Sequence, residues 1–98
     1  FKNKVYVSSR QVVQVFDLNG VFLKNIETGN QCYDIKNDGE NLYLGCGSYI
    51  LKTDEDFKVL EKIGEGLLDT STSIALDDEG NIYSTSIYDR KIKIFKPN

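Results

Sequence analysis

The sequence predicts an all-β protein built from repeated antiparallel strands, and three observations carry that prediction. Apolar residues alternate along short runs, as in Val5/Val7, Val13/Val15 and Ile92/Ile94, and a period of two places alternate side chains on opposite faces of a strand. The runs are separated by the turn-forming clusters DLNG, NDGEN and DDEGN. Asn and Asp bond their own backbone in such turns, and Gly supplies positive φ. Finally, KVYVSS (4–9), NLYLGC (41–46) and NIYSTS (81–86) share one pattern, aliphatic, Tyr, then aliphatic or small; Val5, Leu42 and Ile82 head the copies, 37 and 40 residues apart.

Each copy sits in a larger unit of up to four strands, labelled A to D. The first unit holds B–C–D over 4–26: KVYVSS, then VVQVFDLNG (12–20), then VFLKNI (21–26). The second holds A–B–C–D over 31–63: CYDIKNDGE (32–40), NLYLGC, YILKTDEDF (49–57) and VLEKI (59–63). The third holds A–B–C over 72–95: SIALDDEG (73–80), NIYSTS and IKIF (92–95). Four antiparallel strands in about 40 residues, repeated, describe the blade of a β-propeller. The predicted fold is therefore a β-propeller segment of about two and a half four-stranded antiparallel blades. Turns are expected near 18–20, 38–40, 55–57 and 78–80. Pro97 and Asn98 fall where Leu18 and Asn19 stand in the first unit, inside a C–D turn.

Composition narrows the function. The chain has 98 residues, 12 basic and 15 acidic, for a formal charge of −3. A nucleic-acid groove carries a basic stripe and an anionic membrane surface attracts basic clusters, so neither partner is expected. No apolar run approaches the roughly 20 residues of a membrane helix, and no signal peptide is visible. With no Met and Phe1 at its start, the chain is expected to begin inside a longer product or after processing. Histidine is absent, which removes the commonest general base and nitrogen ligand for metals.

Over 64–95 the sequence resembles an NHL repeat. Gly64, Gly66, Ile74, Ala75, Leu76, Asp77, Gly80, Asn81, Ile82, Tyr83 and Phe95 fit that family's pattern, with Ser73 where Gly is usual and Ser84-Thr85 where Val-Ala is common. Residues 4–26 also resemble YVTN-type propeller repeats. The middle unit departs most, with Lys52 and Thr53 where Val15 and Phe16 stand. The resemblance implies a ring of about 4 to 8 blades, more than this chain supplies. The two incomplete units would leave strand edges to be filled by missing blades or by other copies of the chain. It also implies that the D–A and B–C loops share one rim, where ligands bind.

The candidate sites follow. The acidic turns (Asp38, Glu40; Asp54, Glu55, Asp56; Asp77, Asp78, Glu79) read as solvated turn formers, since no EF-hand order of ligands appears, and no metal or cofactor is expected. Asp34 is the one ionisable residue in an inner-strand apolar stretch, and a single carboxylate makes no catalytic site. Cys32 and Cys46 are too few for a disulfide framework. A hairpin centred on Asp38-Gly39 pairs Ile35 with Leu42 and Tyr33 with Leu44, which puts the cysteines on opposite faces as reduced, buried hydrophobes; a one-residue slip would oppose them. Tyr6, Tyr43 and Tyr83 share one repeat position and are expected to pack between blades. The B–C loops SRQ (9–11), GSY (47–49) and IYDR (87–90) offer Arg10, Tyr49, Tyr88, Asp89 and Arg90 as ligand-binding candidates, because Tyr and Arg are common interface anchors. The longer last loop is the best placed.

These readings point to a non-catalytic propeller scaffold for protein or ligand binding. One alternative is a propeller enzyme of the lactonase or hydrolase kind, with its catalytic residues in blades not present here. The other is a cut or reconstructed fragment that self-assembles into a propeller. The expected partner is a protein or peptide, missing blades, or further copies of the chain. The absence of a glycosylation sequon and the assumption of unpaired cysteines lean toward an intracellular location.

Overall fold

A computed structural model describes residues 1–68, 73–86, 88 and 90–97. Among them are ten strands and no helix, arranged as three antiparallel sheets. The first sheet is β1 (Lys4–Ser9), β2 (Val12–Asp17) and β3 (Phe22–Glu27), in chain order. The second is β4 (Asp34–Asn37), β5 (Leu42–Gly45), β6 (Ile50–Thr53) and β7 (Val59–Ile63), again in chain order. The third is β8 (Ile74–Leu76), β9 (Ile82–Ser86) and β10 (Lys91–Phe95). The expected turns at 18–20, 38–40, 55–57 and 78–80 all lie between strands.

Registers show how closely the three sheets copy one another. Tyr6 faces Val15, Tyr43 faces Lys52 and Tyr83 faces Ile94. The β2–β3 ladder shifts register between Val15 and Phe16, and the β6–β7 ladder shifts between Lys52 and Thr53, the same place in the unit. The departure noted at Lys52 and Thr53 therefore changes side chains and leaves the backbone plan intact.

Three loops use one device. Asp17, Asp54 and Asp77 each accept two backbone N–H bonds on Oδ1, from the residues two and four positions on, at 2.8–2.9 Å. The aspartate closes its own loop and satisfies donors that have no strand partner. The fourth loop residue takes positive φ in each: Gly20 (+84°), Phe57 (+63°) and Gly80 (+83°). A side chain at this φ costs about 1–2 kcal/mol relative to Gly. Phe57 offsets that cost by burial, since its ring lies 5.7 Å from that of Tyr6 and packs on the first core.

Two hydrophobic cores lie between the sheets. One face of the middle sheet, with Leu42, Leu44, Tyr49 and Leu51, packs on Val13, Tyr6 and Ile26 of the first sheet. Its other face, with Tyr43, Ile50 and Ile63, packs on Ile74, Leu76, Ile82 and Phe95 of the third. All four β5 residues are buried as a result. The backbones of different sheets draw together at β1–β4 and β4–β8. At the second of these, Asp34 Oδ2 accepts the Ile74 N–H at 3.0 Å, while Oδ1 accepts Ile35 N–H at 2.9 Å and lies 3.4 Å from Lys36 Nζ. The ionisable residue in the apolar stretch is thus an inter-sheet tie.

The expectation for the cysteines is overturned. Cys32 and Cys46 form a disulfide, with Cα atoms 4.0 Å apart. The hairpin turn closes on Asp38–Asn41, with Asp38 N–H bonding Asn41 O at 3.2 Å. Ile35 therefore faces Leu44, and Asn37 faces Leu42. Tyr33 N–H also bonds Gly45 O, at 2.8 Å, although Asp34 already faces Gly45. Two residues opposite one make a β-bulge, and this added step sets Cys32 against Cys46. The premise of unpaired cysteines behind the intracellular lean falls with it, since disulfides persist in oxidising compartments.

Two predictions follow from these contacts. Tyr43 donates its hydroxyl proton to Asp38 Oδ2 at 2.9 Å, whereas the buried Tyr6 hydroxyl has no partner among the described residues. Tyr43→Phe should lower stability by about 1–2 kcal/mol in urea unfolding, a bond to a charged acceptor being lost, and Tyr6→Phe should be neutral or stabilising. Cys32→Ser/Cys46→Ser should lose about 3 kcal/mol, the loop-closure value for a cross-link near 15 residues. The parent's intact mass after alkylation should gain two adducts only when it is first reduced.

Candidate binding rim

The loops fall on two opposite ends of the strands, and their chemistry differs. At one end lie the aspartate-closed turns. Asp38 Oδ1 accepts the Glu40 and Asn41 N–H groups, at 2.9 and 2.8 Å. Asp77 Oδ2 accepts Asn81 Nδ2–H at 2.8 Å and the Tyr83 hydroxyl at 3.0 Å. Burial pulls the Asp38 carboxyl up, but the Asn41 and Glu40 amides and the Tyr43 hydroxyl outweigh it and hold the group below the usual carboxylate range. The Asn81 side chain and amide, with Tyr83 and Glu79, hold Asp77 low as well. Burial, then the bond to Asp38, pushes the Tyr43 phenol up to about 12. These carboxylates serve their own loops. Among the described residues, no group of three or more His, Cys, Asp or Glu is placed to hold a metal ion.

The opposite end carries the B–C loops and the crossings between sheets, and here the first and second sheets are laced together. Thr28 N–H bonds Gln11 O at 2.9 Å, and Cys32 N–H bonds Arg10 O at 3.2 Å. The Thr28 hydroxyl lies within reach of Gln11 O (3.0 Å) and Asn30 O (2.7 Å). Asn30 Nδ2–H donates to the Tyr49 hydroxyl. The Cys32–Cys46 bond lies beneath this lacing. Arg10, Gln11, Val12 and Gln31 line an open concavity on this rim. Arg10 holds positive φ (+56°) at the tight β1–β2 turn, so its backbone is fixed while its side chain stays exposed.

The candidate residues separate in this geometry. Arg10, Tyr88 and Arg90 are exposed, Tyr88 at 74 %. Asp89 lies outside the described residues. Tyr49 is only 7 % exposed and belongs to the first core. Its ring carries Lys62 Nζ 4.8 Å above it, so Tyr49 supports the rim from below. The middle loop is as long as the last one in residues, with four between Gly45 and Ile50 as between Ser86 and Lys91. Sequence reading missed Thr28, Asn30 and Gln31, whose only signal was the polar run TGNQ between two strand patterns. No family model matches the chain, and no curated protein matches it.

The aspartate-closed end predicts an acid response. Asp38 and Asp77 titrate below their unfolded value of 3.8, so their contribution is present above about pH 4 and is lost as pH falls through the folded values. The melting temperature should drop steeply below about pH 4, and Asp38→Asn/Asp77→Asn should flatten that slope. An unchanged slope in the double variant would show that these turns do not govern it.

Proposed function

We propose that this chain is a non-catalytic segment of an NHL-like β-propeller, acting as a binding scaffold whose ligand face is the rim carrying Arg10, Tyr88 and Arg90. The observation that carries this reading is the ordered stacking of three antiparallel sheets, each face-on to the next, with repeat-equivalent tyrosines, loops and register shifts. The approach of the sheets at β1–β4 and β4–β8 suits the hub of a ring. The two ends of the strands support the choice of rim. One end commits its carboxylates to loop closure, whereas the other presents the exposed side chains of Arg10, Tyr88 and Arg90, of which Arg10 stands on backbone held by the Cys32 N–H. These groups offer planar contact area and directional donors to a peptide or carboxylate.

A peptide selected from a random display library on the immobilised chain supplies a probe. Tyr88→Ala/Arg90→Ala should leave the melting temperature unchanged and weaken that peptide about fivefold or more, the equivalent of roughly 1 kcal/mol. Parent-level binding by the double variant would place recognition elsewhere.

A further inference from the structure

The two outer faces of the sheet stack are open versions of its internal interfaces. In each sheet, call the face turned toward the preceding sheet the front and the other the back. The middle sheet's front carries Leu42 and Leu44, and the third sheet's front carries Ile82 and Ser84; all four are 5 % exposed or less. The repeat-equivalent front residues of the first sheet are Val5 and Val7, at 45 % and 43 %. On the back, Val13, Val15 and Ile50 are fully buried. Their equivalents on the third sheet, Ile92 and Ile94, are 69 % and 53 % exposed. The registers fix this correspondence, since Tyr83–Ile94 repeats Tyr6–Val15 and Tyr43–Lys52.

Each outer face therefore has the composition of a surface buried elsewhere in the same molecule, and the two are of opposite kind. Front meets back twice within the chain, so the front of one copy suits the back of another. Phe16 and Phe22, with rings 5.8 Å apart, extend the front beside Val5. The register also sets Gln14 opposite Val7 and Asn25 opposite Gln14 on the front, and Thr85 opposite Ile92 on the back. On the back, the Tyr83 hydroxyl is already bonded to Asp77, and Thr85 Oγ1 lies 3.4 Å from Ser73 O. Covering the patches takes mainly aliphatic and aromatic surface out of water, and the uncharged Gln14 and Asn25 side chains must keep hydrogen-bond partners when it does.

We infer that the chain is its own partner: two copies pair head to tail, the front of the first sheet of each covering the back of the third sheet of the other. Such a contact is heterologous and closes when two copies satisfy both faces of each. The product holds six sheets, within the four to eight of closed propellers. The inference rests on the ring-segment reading above and names what completes the ring.

Sedimentation equilibrium of the intact chain over a dilution series should give twice the monomer mass. Val5→Lys/Val7→Lys and Ile92→Lys/Ile94→Lys should each sediment as a monomer with parent-like circular dichroism, since all four positions are exposed within one copy. Mixing the two variants should restore a dimer, because one keeps an intact back and the other an intact front. A parent that is monomeric throughout, a dimer indifferent to either pair, a mixture that stays monomeric, or an open-ended polymer would overturn the pairing. Should a variant fail to fold, the parent's mass alone decides. The Tyr88/Arg90 peptide test reads a monomer equally well, so a monomeric parent sinks this pairing without touching the rim reading. Lost rim specificity in an intact dimer does the reverse.

Discussion

The structure depends on a middle sheet packed on both faces, with β5 and β6 buried between its neighbours. A strand in that position cannot alternate apolar with polar residues, because both sets of side chains leave water. Strand β5 meets this with Leu-Tyr-Leu-Gly, all four buried. At about 25 cal/mol per Å² of apolar surface removed from water, such burial is the dominant favourable term available to a chain of this size. Among the described residues, the first and third sheets are each packed on one side, and β1 and β10 carry the exposed Val5, Val7, Ile92 and Ile94. The stack is stable at its centre and unfinished at its ends.

Polar groups are arranged around that constraint. Where two inner strands meet, the Asp34 carboxylate accepts an amide from each of two sheets, Ile35 and Ile74. A half-buried carboxylate is tolerable there because both oxygens find donors. At the turn end, aspartates again meet backbone amides, and Tyr43 and Tyr83 reach across from β5 and β9 to share them. In the first sheet, Phe1 stands where the turn aspartate stands in the second: its amino group donates to Lys4 O at 2.9 Å, as Asp38 N–H does to Asn41 O. Its ring lies 5.9 Å from that of Tyr6. The Tyr6 hydroxyl loses its acceptor through that one difference. The opposite end is built differently, from a disulfide and side chain-to-backbone bonds that fix the crossing between sheets.

Strand identity was legible because alternation and turn chemistry agree. Asp17, Asp54 and Asp77 announce loops by residue type, and their loops prove interchangeable in geometry. The order within each sheet followed from the recurrence of Val5-Tyr6, Leu42-Tyr43 and Ile82-Tyr83. The register of the middle hairpin was not legible. Turn composition alone did not distinguish a turn closed on Asp38–Asn41 from one centred on Asp38-Gly39, and the bulge at Tyr33 and Asp34 has no sequence mark. The disulfide was lost with that register. Tyr49 looked like a rim residue from its place in the sequence, yet it turns into the first core, where its hydroxyl accepts from Asn30 Nδ2–H. Phe57 holds a glycine conformation that only its tertiary packing explains.

The central claim is that the doubly covered middle sheet holds the molecule together while the outer strands remain open. Native-state hydrogen exchange of the backbone amides tests it most directly. The amides of Leu42, Tyr43, Leu44 and Gly45 should exchange only through global unfolding, with the highest protection in the chain, and those on the open edges of β1 and β10 should exchange through local opening with far lower protection. Amides of β5 that exchange as readily as those of β1 or β10 would contradict the account.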